Sequence, residues 1–170
     1  MLDSLITSKT RLKMLIKFFV NTANKGYLNG LANEFNESTN SIRKELNNLS
    51  SAGYLLKVKS NNKVIYNANK KHPLFVVLQK VVRQHLGIED IIDSILDKIG
   101  DVSSVAIVGD YAKGIDSGLI KIVILGDDIN VNYLKDLIVK VEKKITRKVS
   151  FKIVEILPKG SLLIYNNEKI

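Results

Sequence analysis

Asn40, Ser41, Arg43, Lys44 and Asn47 follow one another within eight residues, with Asn48 directly behind. Their amide, hydroxyl, guanidinium and ammonium groups can all hydrogen-bond to base edges or phosphates. Ser38 and Thr39 stand just ahead and belong to the same group, and Glu45 is the one residue of opposite character inside it. A second group follows at Lys57, Lys59 and Lys63, clustered around Asn61 and Asn62. Lysines so placed neutralise phosphates and set position without reading sequence. The chemistry expected of the two groups is recognition of double-stranded DNA, with the first reading bases and the second holding the backbone.

Such side chains need a scaffold, and the flanking residues supply one. Residues 27–34 have helical spacing, with Leu28, Leu31 and Ala32 on one face. Residues 35–38 make a short turn, and Ser38 or Thr39 caps a second helix with Ile42, Leu46 and Leu49 as its buried stripe. That helix should stop at Ala52 and Gly53. Residues 54–60 and 63–67 read as strands joined through Asn61 and Asn62, since Asn tolerates the positive φ of a two-residue hairpin turn. Ahead of this unit, residues 9–21 form an amphipathic helix with Leu12, Leu15, Ile16 and Phe19 on one side. Leu2, Leu5 and Ile6 make an apolar lead-in. Helix, helix, turn, helix and hairpin is the order of a winged helix-turn-helix, predicted for residues 1–72.

Charge agrees with that assignment. The 170-residue chain carries +9. Residues 1–72 hold 12 Lys/Arg against 4 Asp/Glu, and residues 73–170 hold 14 against 13. Basicity is thus concentrated on the half expected to meet nucleic acid. There is no cysteine, which excludes disulfides, thiolate zinc sites and cysteine-based sensing, and suits the cytoplasm. No run of about eighteen apolar residues is present, so no membrane partner is expected. The early Asp and Lys residues argue against a signal peptide.

Residues 73–100 read as a helical connector, with Pro73 at a helix start, a break at Gly87, and Ile91, Ile92, Ile95 and Leu96 buried in a helix over 88–99. With the lead-in, this connector is the candidate dimerisation region. From Ser103 the period changes to that of strands. Residues 103–108, 119–125, 149–156 and 161–165 are strand candidates, and residues 132–145 a helix carrying Leu134, Leu137, Ile138, Val141 and Ile145. A short crossover is expected between the first two strands. The fold class is therefore α+β or α/β, with a small α/β domain over 101–170.

Two stretches carry a resemblance to known families. Residues 1–72, with Leu5-Ile-Thr-Ser-Lys-Thr-Arg11 before the helix pair and hairpin, resemble winged-helix transcriptional regulators of the ArsR-like group. Val108-Gly-Asp-Tyr-Ala-Lys-Gly-Ile-Asp-Ser-Gly118, followed by residues 119–126, is similar to the signature of minimal nucleotidyltransferases. In that signature Gly-Ser and a later Gly lead to Asp-x-Asp on the next strand. The combination resembles bacterial winged-helix regulators with a nucleotidyltransferase-like C-terminal domain. It implies a homodimeric DNA-binding regulator whose Gly109, Asp110, Lys113 and Gly114 form a remnant ligand turn.

Transfer chemistry is not expected to survive in such a domain. Asp110 puts a carboxylate where a serine would face polyphosphate. Residues 117–122 contain no acid to hold the two cations of in-line transfer, and Lys121 falls near an acid's place. Glu155 alone could imitate a third acid. The expectation is no enzyme, no metal and no cofactor, with the domain kept for a small-molecule or protein effector. The alternatives are an active nucleotidyltransferase and a winged helix that docks proteins. Asp110 also reads as a helix N-cap, and Asp116, Asp127 and Asp128 as solvated loop acids. His72 and His85 read as helix-end caps, and Phe75 and Tyr133 as core. Lys140, Lys143, Lys144, Arg147 and Lys148 read as a solvated face near a helix C-terminus.

Overall fold

The computed structural model describes residues 2–96 and 98–167. These fall into two compact units, Met1–Val82 and Arg83–Ile170, and the fold is mixed α+β with a two-stranded and a four-stranded sheet. Among the described residues no helix is long and apolar enough to cross a membrane.

In the first unit, α1 (Lys9–Phe19) starts at Ser8, whose hydroxyl accepts from the Arg11 amide at 3.2 Å. Its buried surface is wider than one stripe, because Met14, Lys17 and Phe18 join Leu12, Leu15, Ile16 and Phe19. α2 (Leu28–Phe35) ends at Asn36, whose φ of 53° turns the chain sharply, and α3 (Thr39–Ser51) begins after Ser38. Ile42, Leu46 and Leu49 are buried as their spacing requires, and Gly53 at φ 82° ends the helix region.

β1 (Leu55–Ser60) and β2 (Lys63–Ala68) then pair antiparallel. Asn61 and Asn62 between them have φ 42° and 59°, the double positive φ that a tight hairpin demands. Two backbone hydrogen bonds between Gly26 and Tyr66 lay the stretch before α2 alongside β2. In the lead-in, Leu2 is buried but Leu5 is 78% exposed. α4 (Phe75–Leu86) runs through the division between the units, and its Phe75 ring lies 5.8 Å from that of Phe19. The Nδ1 of His72 accepts from the Leu74 amide at 3.1 Å, just ahead of that helix.

In the second unit, α5 (Ile88–Leu96) is followed by β3 (Asp101–Val108), β4 (Leu119–Asp127), α6 (Val131–Ile145), β5 (Lys148–Ile153) and β6 (Leu162–Asn166). Sheet order is β5-β4-β3-β6, with β4 and β5 parallel across α6 and the other pairs antiparallel. The register places Ile120 opposite Val149 and Ile122 opposite Phe151, so these share one face with Ile124. Gly87, at φ 80°, sits where a Cβ would come within 2.5 Å of the Ile145 side chain. It lets the chain turn into α5 with Ile145 packed against the turn.

Four sequence expectations are corrected. The 109–118 segment returns antiparallel, because a parallel crossover needs about a dozen residues or more. α5 stops at Leu96, which is 39% exposed, while Ile99 beyond it is 1% exposed and takes the buried place. β5 ends at Ile153, where its pairing with β4 ends, and Ile156 is 82% exposed. Tyr27 stands outside α2 as its N-cap, in extended conformation.

Candidate functional site

The outer surface of α3 gathers the first group of candidate residues. Ser38, Thr39, Asn40, Arg43, Lys44, Asn47 and Asn48 are exposed and Ser41 half-buried. Ser38 caps the helix, its Oγ accepting from the Ser41 amide at 3.2 Å and lying 2.9 Å from the Ser41 hydroxyl. Arg43 donates to the Asn40 side chain at 3.4 Å, one turn back.

Glu45 does not interrupt this surface. It is 5% exposed and turned toward α1, where its carboxylate accepts from Ser8 Oγ at 3.1 Å and Arg11 Nε at 2.9 Å. The sequence held the signal: Glu45 is three residues after Ile42 and one before Leu46, on the buried stripe. Two further pairs repeat the pattern. Lys13 meets Glu37 at 3.0 Å, and the buried Lys17 meets Glu34 at 2.7 Å. Each glutamate of the helix pair is thus held by a cation of α1.

The hairpin carries exposed Lys57, Lys59, Asn61, Asn62 and Lys63, but the lysines are not one cluster. Lys57 pairs with Tyr66 and Lys59 with Val64, whereas Lys63 pairs with Ser60. Alternation along the strands therefore puts Lys57 and Lys59 on one face and Lys63 on the other. Their aromatic neighbours differ accordingly: Lys57 Nζ lies 5.9 Å from the Tyr66 ring centroid, and Lys63 Nζ lies 4.3 Å from that of Tyr27.

In the second unit, Gly109, Asp110, Lys113 and Gly114 come together in one turn, a single 3-10 turn at Tyr111–Lys113 between two glycines of positive φ. Asp110 occupies the N-cap position, yet its side chain makes no capping bond. Its backbone carbonyl accepts from Lys113 at 2.9 Å and Ile115 at 3.0 Å instead. Glu155 is not near this turn. It stands with Ser103, Gly126 and Asp127 around a cavity of about 500 Å³ at the far end of β4. No carboxylate of β4 faces it from the Leu119 end, where Lys121 pairs with Val108 and Ser150. Among the described residues no group of three or more His, Asp or Glu side chains could hold a metal ion.

What locks this turn was not legible in the sequence. Asp116 accepts from Tyr111 Oη and is clasped by Arg147, Nε at 3.0 Å and Nη2 at 2.6 Å. Arg147 Nη1 reaches the carbonyls of His85 at 3.2 Å and Ile145 at 3.3 Å, while the Gly118 amide donates to Tyr111 Oη at 3.2 Å. Burial pushes the Tyr111 phenol well above its ordinary range, aided by the Asp116 carboxylate beside it. For Asp116 burial alone would raise the pKa, but the hydrogen bonds from Arg147 and Tyr111 outweigh it and hold the carboxyl low. Arg147 is correspondingly raised. Asp116 is thus no solvated loop acid, and Arg147, with a side chain 13% exposed, is no part of a solvated basic face. Lys144 is paired with Asp90, and Lys148 with Glu142 at 3.2 Å.

Comparison of the chain with protein-family profiles, with curated proteins and with solved structures finds no match.

Proposed function

We propose that the first unit is a winged helix-turn-helix that binds double-stranded DNA, in a cytoplasmic, sequence-specific transcriptional regulator. The observation that carries this reading is the outer surface of α3. Asn40, Ser41, Arg43, Lys44 and Asn47 form it without an acid, because Glu45 is turned inward onto Arg11. Arg bidentate to guanine and Asn to adenine are the pairings such a surface offers in a major groove. Lys57, Lys59 and Lys63, with Asn61 and Asn62, hold the flanking backbone.

A single short recognition helix discriminates few base pairs, so the regulator acts as a two-fold homodimer. Exposed Leu74, Val76 and Val77 on and before α4, with Leu5 in the lead-in, support those segments as its interface. The second unit is a degenerate nucleotidyltransferase-like domain without transfer activity, used for a small-molecule or protein effector at the Gly109–Gly114 turn. The absence of a carboxylate from 117–122 supports that.

The test is fluorescence anisotropy on duplex DNA from the chain's own upstream region and on scrambled duplex, across a salt series. Tight, salt-steep binding that prefers the upstream DNA is expected. Arg43→Ala should weaken it by about 1–3 kcal/mol, the worth of one bidentate base contact. Weak binding without preference, unchanged in Arg43→Ala, would sink the reading.

A further inference from the structure

Lys63 stands apart from the other hairpin lysines, and the structure gives it a seat. Its ammonium lies 4.3 Å from the Tyr27 ring centroid, inside the roughly 6 Å reach of a cation–π contact. Two backbone features build that seat. Gly26 donates to the Tyr66 carbonyl at 3.1 Å and accepts from the Tyr66 amide at 2.8 Å, so the stretch before α2 runs beside β2. Alternation from that bridge puts Tyr27 on the same face as Ile65 and Lys63. Gly30 also makes room for the ring: a Cβ there would come within 2.8 Å of Tyr27 Cε1 and 2.9 Å of Cζ. The ring therefore lies close to a bare helix turn and within reach of the ammonium of the first residue of β2.

We propose that Tyr27 is a positioning residue for the DNA backbone contact, holding Lys63 at the start of α2 on the hairpin face opposite Lys57 and Lys59. The hairpin then offers two separate phosphate contacts instead of one row. This rests on the DNA-binding reading above. An ammonium over a ring keeps N–H donors that point away from it, so the seat does not consume the lysine. Holding the side chain beforehand removes part of the rotamer freedom that a free lysine loses on contact.

A double-mutant cycle on the full chain tests this, using a duplex of arbitrary sequence, because backbone contacts are sequence-independent. The variants are Tyr27→Leu, Lys63→Ala, their double, and Tyr27→Phe. Lys63→Ala should lower the log–log salt slope by about 0.9, the share of one phosphate. Tyr27→Phe keeps the ring and should bind as wild type. Tyr27→Leu should weaken binding about 2- to 5-fold when Lys63 is present, and not at all in Lys63→Ala. Equal losses in both backgrounds, or none in either, overturn the role.

If Tyr27→Leu does not fold, proton NMR of the wild type and Tyr27→Phe decides. The Lys63 ε-methylene protons must be shifted upfield by the ring in both, and ordinary shifts overturn the seat. A wild type without salt-steep duplex binding overturns the DNA reading and this role together, before any variant is made. Normal wild-type binding with an additive cycle overturns this role alone.

Discussion

Replacing Arg147 with methionine removes the guanidinium that holds the 109–118 turn while keeping an apolar side chain of similar reach. The wild-type guanidinium makes two bonds to Asp116, at 3.0 and 2.6 Å, and two to the carbonyls of His85 and Ile145. Breaking a fully buried pair costs about 3–5 kcal/mol, because the remaining charge is left without its partner. Here the two side chains are 13% and 28% exposed, so water relieves part of that cost, and about 2–3 kcal/mol is expected.

The assay is urea unfolding followed by circular dichroism at neutral pH, repeated for Asp116→Asn and for the double variant. Removing both charges should restore part of the loss, because no unpaired carboxylate then remains. The pH dependence follows from Asp116, whose folded pKa lies below its unfolded value of about 3.9. The stability it contributes is present above that unfolded value and is lost as pH falls through the lower folded value. The gap between wild type and Arg147→Met should therefore shrink in that acid window. A gap under about 0.5 kcal/mol at neutral pH would refute the reasoning, since the pair would then be worth no more than an ordinary surface ion pair.

Three further outcomes are expected. An alkaline absorbance titration should show a phenol that ionises later than free tyrosine and disappears in Tyr111→Phe. Its folded pKa is raised, so the stability it contributes is present below about pH 10 and is lost as pH rises through the folded value. Glu45→Ala should cost about 1–2 kcal/mol in denaturant unfolding, limited by an Arg11 side chain that is 44% exposed and can rehydrate. Gly87→Ala should cost at least about 2 kcal/mol, since it adds strain at φ 80° to a 2.5 Å approach on Ile145. A thermal midpoint unchanged from wild type would count against that packing.

The parts of the fold legible in the sequence are those fixed by neighbours a few residues away. Ile42, Leu46 and Leu49 repeat at helical spacing, Ser38 stands one residue before Thr39, and Asn61 and Asn62 interrupt two strand runs. Each of these became the element expected of it. What was hidden depends on partners distant along the chain. Glu45 meets Arg11 across 34 positions, and Asp116 meets Arg147 across 31. In the sequence, the first looked like an intruder on a basic face and the other two like solvated charges. The separation of Lys63 from Lys57 and Lys59 was available in principle, since strand alternation and the two-residue turn imply it. Its seat on Tyr27 was not, because that depends on the Gly26–Tyr66 bridge. The antiparallel return between β3 and β4 was likewise implied by the shortness of the 109–118 segment.

The inward turn of Glu45 has a consequence for how this chain can change. It divides α3 into an inner, buried side that the fold depends on, Ile42, Glu45, Leu46 and Leu49, and an outer side that is exposed apart from the half-buried Ser41. Substitutions on such an outer side typically move stability by no more than about 0.5 kcal/mol. Away from the Ser38 cap, those residues can therefore be replaced one position at a time at little cost to folding. The fold and this outer face share a helix here but are free to evolve separately.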